Sequence, residues 1–235
     1  MLQSSKQFLN MVQMTHGADD RKKDAVYRTI LDSFLSGKYQ FGDSVSVRAL
    51  SDSIGVSRQP VMAAFNRLSL EGFVTVTAQV GCQVITPSAT EISDFFLLFS
   101  RYEGLMAELA AKRCTDRDVR AMRVANAAIT MLSAADDPSG AEYRELNRTF
   151  HSAVHEGSHS QSLKDRSQSA WTMSDFLIAQ TYGFTPYLQD AAAEHDAIIS
   201  AIEDHDSGRA RLAAERHILN VADLVARGVA KDVAA

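Results

Sequence analysis

At 235 residues, 46% of them hydrophobic and only four of them proline, the chain has room for two modest domains and favours long helices. A formal net charge of −5 excludes a molecule that is basic throughout, yet residues 21–86 carry +3 and those from Pro87 onward −7, as expected if only the head meets phosphate. Two cysteines outside any CxxC pair exclude a disulfide framework. The absence of a long apolar run or a leader-like start points to a protein of the cytoplasm.

Residues 1–20 are polar with scattered Met and read as an N-terminal arm. From Asp24 to Leu35, apolar residues at Val26, Ile30, Leu31, Phe34 and Leu35 follow helical spacing. Gly37 ends that helix and Gly42-Asp43 makes a turn. A short helix over Val47–Ser53 follows, with Ser46 as its N-cap. Gly55 supplies a tight turn. Ser57 then caps a third helix with Pro60 in its first turn, where a missing N–H costs nothing. Val61, Phe65 and Leu68 face inward, and Gly72 ends the helix. Phe73–Thr77 and Gln83–Thr86 alternate as a two-stranded hairpin, with Gly81 in the connection. Three helices and a hairpin predict a winged helix-turn-helix over residues 21–86.

Pro87-Ser88 marks a linker. Beyond it, helices are predicted over Thr90–Cys114, Arg117–Ala135, Ala141–Glu156, Gln161–Tyr182, Pro186–Asp206 and Arg209–Val229, separated by Gly, Pro, Ser and Asp breakers. Short links between six helices imply an antiparallel bundle over residues 87–235. The fold class is therefore mainly α: a winged head followed by an all-helical body.

In the head, Arg58 is the candidate base reader, because its fork matches the O6 and N7 of a guanine. Arg48 on the preceding helix can flank the groove. Ser57 and Gln59 sit at a helix N-terminus, where free N–H groups attract phosphate. Either arginine taken alone could equally be a solvated surface residue; the helix-turn pattern around them favours DNA. The segments SGKYQFGDSV, RALSDSIGVSRQPV, LSLEGFVTV and VGCQVI resemble, in order, the head of the GntR family of bacterial transcription regulators. That resemblance places DNA contacts on Arg48, Ser57, Arg58, Gln59 and Pro60, and on a wing from Ala78 to Gly81. Two residues depart from the family: Met62 stands where a second arginine is usual, and the wing TAQVG is neutral. Weaker phosphate attraction and a shallow salt dependence follow.

Six of the seven histidines lie in the body. Asn147 and His151 are four apart and share a helix face, while His195 and His217 fall on two later helices that a bundle can aim at one point. Three imidazoles and an oxygen donor suit a divalent ion such as Zn²⁺ or Ni²⁺, although buried histidines are also commonly satisfied by hydrogen bonds alone. The motifs EISDFF, YEGLMAELAAK, NRTFH, EHDAIISAIEDHD and GRARLAAERHI resemble the FCD ligand-binding domain of the FadR-type GntR subfamily. By that resemblance Asn147, His151, His195 and His217 are the metal ligands. Asp is frequent where Asn147 stands, so the donor set is neutral, and a bound ion is expected to keep its full charge and favour an anion.

The resemblance also implies a small carboxylate effector, with Arg101 and Arg148 as its partners and Trp171, Tyr102, Phe176 and Tyr182 as cavity walls. Ordinary core packing is the alternative for each aromatic, and Phe99 replaces an arginine common in the family. His155 is expected to be solvated or hydrogen-bonded. His16, His159 and His205 are expected to be exposed. The leading function is a DNA-binding regulator, leaning towards repression, gated by a small organic acid and acting as a homodimer on a palindromic operator, with no membrane partner. The alternatives are a metal-dependent enzyme built on the three histidines and an architectural DNA-binding protein with no effector.

Overall fold

The computed structural model describes residues 22–77, 81–132, 137, 139–181, 183–184 and 188–232. The chain divides into two compact units, Met1–Thr86 and Pro87–Ala235.

In the first unit, helix α1 (22–35) buries Val26, Tyr27, Ile30, Phe34 and Leu35 along one face. Strand β1 (Ser44–Val45) leads into α2 (Val47–Ile54), where Ser46 Oγ accepts the Ala49 N–H at 3.2 Å. Gly55 follows at φ +74°, the left-handed conformation that lets the chain reverse into α3 (Arg58–Leu70). Strands β2 (Val74–Thr77) and β3 (Gly81–Val84) pair antiparallel with Val76 opposite Cys82. β1 joins the far side of β3 with Val45 opposite Cys82, giving the order β1-β3-β2. The expected hairpin is thus a three-stranded sheet. Two residues are too few to show an alternating pattern, so the sequence carries no signal for β1.

The second unit is the expected helical bundle. Helix α4 (Ala89–Arg113) and α5 (Asp116–Met131) both begin at capping boxes, Ser88 with Glu91 and Thr115 with Asp118. Asp137, three residues before the N-cap Gly140, caps α6 (Ala141–Gly157), accepting from Ala141 N at 3.0 Å and Tyr143 N at 2.8 Å, with Ser139 Oγ also accepting from Ala141 N at 3.3 Å. Helices α7 (Gln161–Ala179), α8 (Leu188–Glu203) and α9 (Ser207–Asp232) complete the unit. α4 packs most extensively on α9, and α5 on α6 and α8. The predicted starts and ends at Pro186, Ala135 and Tyr182 lie outside the described residues. α9 begins two residues earlier than expected because Asp206 accepts the Arg209 N–H at 3.0 Å and caps it.

Inside this apolar bundle sits a polar inclusion. Glu103, Asn126, His151, His155, His195 and His217 are all buried. Such groups are costly to bury unless each finds a partner.

Candidate metal centre and nucleic-acid interface

The head brings its predicted DNA residues to the first turn of α3. Ser57 is its N-cap and makes no side-chain cap hydrogen bond, which leaves its hydroxyl available to a phosphate. Arg58 and Gln59 are exposed and Pro60 occupies the first turn. Arg48 on α2 is exposed and lies 3.9 Å from Asp52, a surface pair that holds it only loosely. Gly81 opens β3 at φ +127°, and residues 78–80 of the wing lie outside the described residues.

In the body, α6, α8 and α9 bring His151, His195 and His217 together. One ring nitrogen of each lies within 4.8 Å of the others, and all three are buried. Their second nitrogens are individually anchored. His151 Nδ1 is 3.1 Å from Glu103 Oε2, His195 Nδ1 is 3.1 Å from Asn126 Oδ1, and His217 Nδ1 is 2.6 Å from Glu194 Oε2. A carboxylate only accepts, so His151 and His217 donate from Nδ1. Asn126 gives the same answer for His195: its Nδ2 donates to Ala192 O at 2.9 Å and to Asp196 Oδ1 at 3.0 Å, so its oxygen faces the ring and accepts. With Nδ1 donating, the lone pair of each ring in its neutral form falls on Nε2. His151 Nε2, His195 Nε2 and Asn147 Oδ1 are buried with no hydrogen-bond partner.

Converging unsatisfied acceptors repel one another and fit a cation. Burial pushes His151 down to about 4, and burial together with the neighbouring His217 and His151 holds His195 well below its ordinary value. Neutral imidazoles are the form that ligates metal. The three-histidine cluster is thus able to hold a divalent ion.

Glu103 was not among the residues singled out from the sequence, and it organises this centre from α4. It accepts from His151, from His155 Nε2 at 2.8 Å, and from Trp171 Nε1 at 3.1 Å. Burial alone would raise its pKa, but the charge and hydrogen bonds of His155 and His151 outweigh that and keep it ionised. With Glu194, which His217 also holds below its ordinary range, it places two negative charges one hydrogen bond behind the ligands. Glu103 and Glu194 thus add negative charge around a donor set that is itself neutral. His155, expected to be solvated or hydrogen-bonded, is buried on Glu103. His159 and His205 are exposed as expected, and His16 lies outside the described residues.

The predicted effector residues separate. Arg148 and Trp171 line a cleft of about 620 Å³ between α5, α6 and α7, with His155 and Lys164 on its walls. Arg148 is held there by Asp175, Nε to Oδ2 at 3.2 Å, and by Thr172 Oγ1 at 3.4 Å. Arg101 instead pairs with the buried Glu215, its own side chain 60% exposed, and does not line this cleft. Tyr102 donates to the Leu163 carbonyl and packs edge-on to His155. Phe99 and Phe176 are core residues, Phe99 standing 4.9 Å edge-on from Trp171, and Tyr182 lies outside the described residues.

A helix-turn-helix head joined to a helical body with a polar, metal-capable centre defines a ligand-sensing regulator. The sequence model of bacterial regulatory proteins, gntR family, matches residues 22–84, and that of the FCD domain matches residues 101–220. The chain belongs to the GntR family of bacterial regulatory proteins, in the branch that carries an FCD domain. It is similar to the Nta operon transcriptional regulator of Aminobacter aminovorans, 32% identical over 89 residues that cover 38% of this chain and 42% of that protein. It is also similar to the HTH-type transcriptional repressor GlaR of Escherichia coli, 21% identical over 87% of this chain and 96% of that one. Among solved structures, E. coli McbR/YncC shares the fold at a TM-score of 0.72 and 14% identity, covering 87% of this chain and 97% of that one. The protein is a DNA-binding transcription regulator and not an enzyme, which sets aside the reading as a metal-dependent enzyme. Its head implies operator DNA as a partner, and its FCD domain a small-molecule effector. No helix among the described residues is long and apolar enough to cross a membrane.

Proposed function

We propose that this chain is an effector-gated repressor of the cytoplasm, acting as a homodimer on a palindromic operator. Residues 21–86 form its DNA-reading domain and residues 87–235 its sensing and dimerisation domain; the arm expected over residues 1–20 lies outside the described residues. Arg48, Ser57, Arg58, Gln59, Pro60 and Gly81 meet DNA. Asn147, His151, His195 and His217 would hold a divalent cation, Zn²⁺ or Ni²⁺. When bound, such an ion supplies an electrostatic anchor for a carboxylate oxygen. Arg148 orients a small organic acid from the cleft wall, with Trp171 against its body. The repressor GlaR, which aligns along nearly its whole length, supports repression.

The observation that carries the sensing site is the set of buried, unpartnered acceptors on Asn147, His151 and His195 beside His217. Coupling to DNA then has one requirement: effector and operator change each other's affinity by the same factor. The test is elemental analysis of purified protein and of His195→Ala, followed by a thermal-shift screen of small carboxylic acids with and without chelator. Metal in the wild type, its loss in the variant, and chelator-sensitive hits that release DNA are expected. Equal metal content in both proteins rejects the site.

A further inference from the structure

Helix α3 buries Val61, Ala64, Phe65 and Leu68 against the head. The opposite face, which a recognition helix turns to the major groove, carries Gln59, Met62, Ala63 and Asn66, none of them charged. The other cation of this helix, Arg67, is engaged within the head. Its Nε is 3.0 Å from Glu71 Oε1, its Nη1 is 3.2 Å from Asp24 Oδ1, and its guanidinium lies 3.7 Å over the Tyr27 ring. Arg58, exposed at the first turn, is thus the cationic side chain of α3 that is not engaged within the head. Met62 and Ala63 form a small apolar surface one turn beyond it.

We propose that Met62, with Ala63, selects an A·T pair by packing on the thymine 5-methyl group, about two base pairs from a guanine bonded by Arg58. The inference rests on the reading of the head as a DNA reader. Guanine offers two acceptors to the Arg58 fork, whereas thymine is the base that shows a methyl group in the major groove. Either base pair leaves polar edge atoms beneath Met62, but only A·T adds a methyl group for its carbon and sulfur to pack on, whereas G·C offers them polar atoms alone. The spacing agrees. Four residues of helix advance about 6 Å, which is about two base pairs at roughly 3.4 Å each. A thymine about two steps from the Arg58 guanine is therefore within reach.

The experiment selects binding sites for the full-length protein from a random-sequence duplex pool, then replaces the selected thymine by deoxyuridine, which removes only the methyl group. Wild-type affinity, read by fluorescence anisotropy at fixed salt, is expected to fall about 3–10-fold on that replacement. Met62→Ala should bind both duplexes equally. Met62→Leu, which keeps an apolar side chain, should retain the preference for thymine. Met62→Arg should redirect selection to guanine at that pair. A selected G·C pair at this position, equal wild-type affinity for the two duplexes, or an unchanged thymine preference in Met62→Ala overturns the proposal while leaving DNA reading intact. Failure to select any sequence overturns the DNA-reading assignment, and this proposal with it.

Discussion

Glu103 accepts hydrogen bonds from His151, His155 and Trp171 at once, which only a carboxylate can do at that position. Glu103→Gln keeps the shape but turns one acceptor into a donor facing buried N–H groups. The variant should fold and bind metal about 10–100-fold more weakly in chelator competition. Unchanged affinity would make Glu103 a packing residue. Asp175 offers a test by pH. Burial raises it to about 7 despite the attraction of Arg148. Because its folded pKa lies above the ordinary value, the folded state holds the proton more tightly. Its contribution is complete at low pH and is lost as pH rises from about 4 through about 7. Melting of the wild type relative to Asp175→Asn should accordingly worsen between pH 5 and pH 8; a constant difference would contradict the raised value. At this scale the histidines were legible in the sequence, since polar residues recurring on predicted helix faces stand out. Glu103 left a fainter mark: it shares the spacing of Phe96, Phe99, Met106 and Ala110, a lone acid on a face that is otherwise buried and apolar.

Among the elements, the α4–α9 contact depends on close approach at Gly104. A Cβ there would stand 2.6 Å from Glu215 Cγ and 3.2 Å from Arg211 Cγ. Glu215 is buried and tied to both Arg101 and Arg211, so it has little room to yield. Gly104→Ala should destabilise the protein by about 1–3 kcal/mol, read from denaturant midpoints at constant m-value. Gly157→Ala is the control. Its Cβ would meet Met122 Cε at 2.6 Å, the free end of a flexible side chain that can turn aside. A larger loss at Gly157 than at Gly104 would count against this account of the packing. The start of α2 was readable because Ser46 advertises it as a cap, whereas Ser88 and Thr115, read as linker and breaker, prove to be caps that start α4 and α5 one residue before the expected Thr90 and Arg117. The third strand was not, because its pairing with β3 is a long-range contact that two residues cannot encode locally.

For the whole molecule, charge is divided between the two units according to their roles, with a net positive head to meet DNA and an acidic body that does not. Arg58→Ala should cost about 1–3 kcal/mol of specific binding and relax one base position, with little change in affinity for random duplex. Quantitative footprinting on a selected operator would measure both, and retained affinity with retained base preference would remove Arg58 from the reading set. The sequence by itself determined the class of this protein, because helix-turn-helix punctuation and helical periodicity are local patterns in which each residue reports on its neighbours. Only the tertiary structure decided which side chains share a site. It brought three histidines from three helices to one point and set Glu103, Asn126 and Glu194 behind them. It also turned Arg101 outward to Glu215 while leaving Arg148 on the cleft. Those outcomes depend on how α4 to α9 pack, and packing joins residues too far apart in the chain for any local pattern to record.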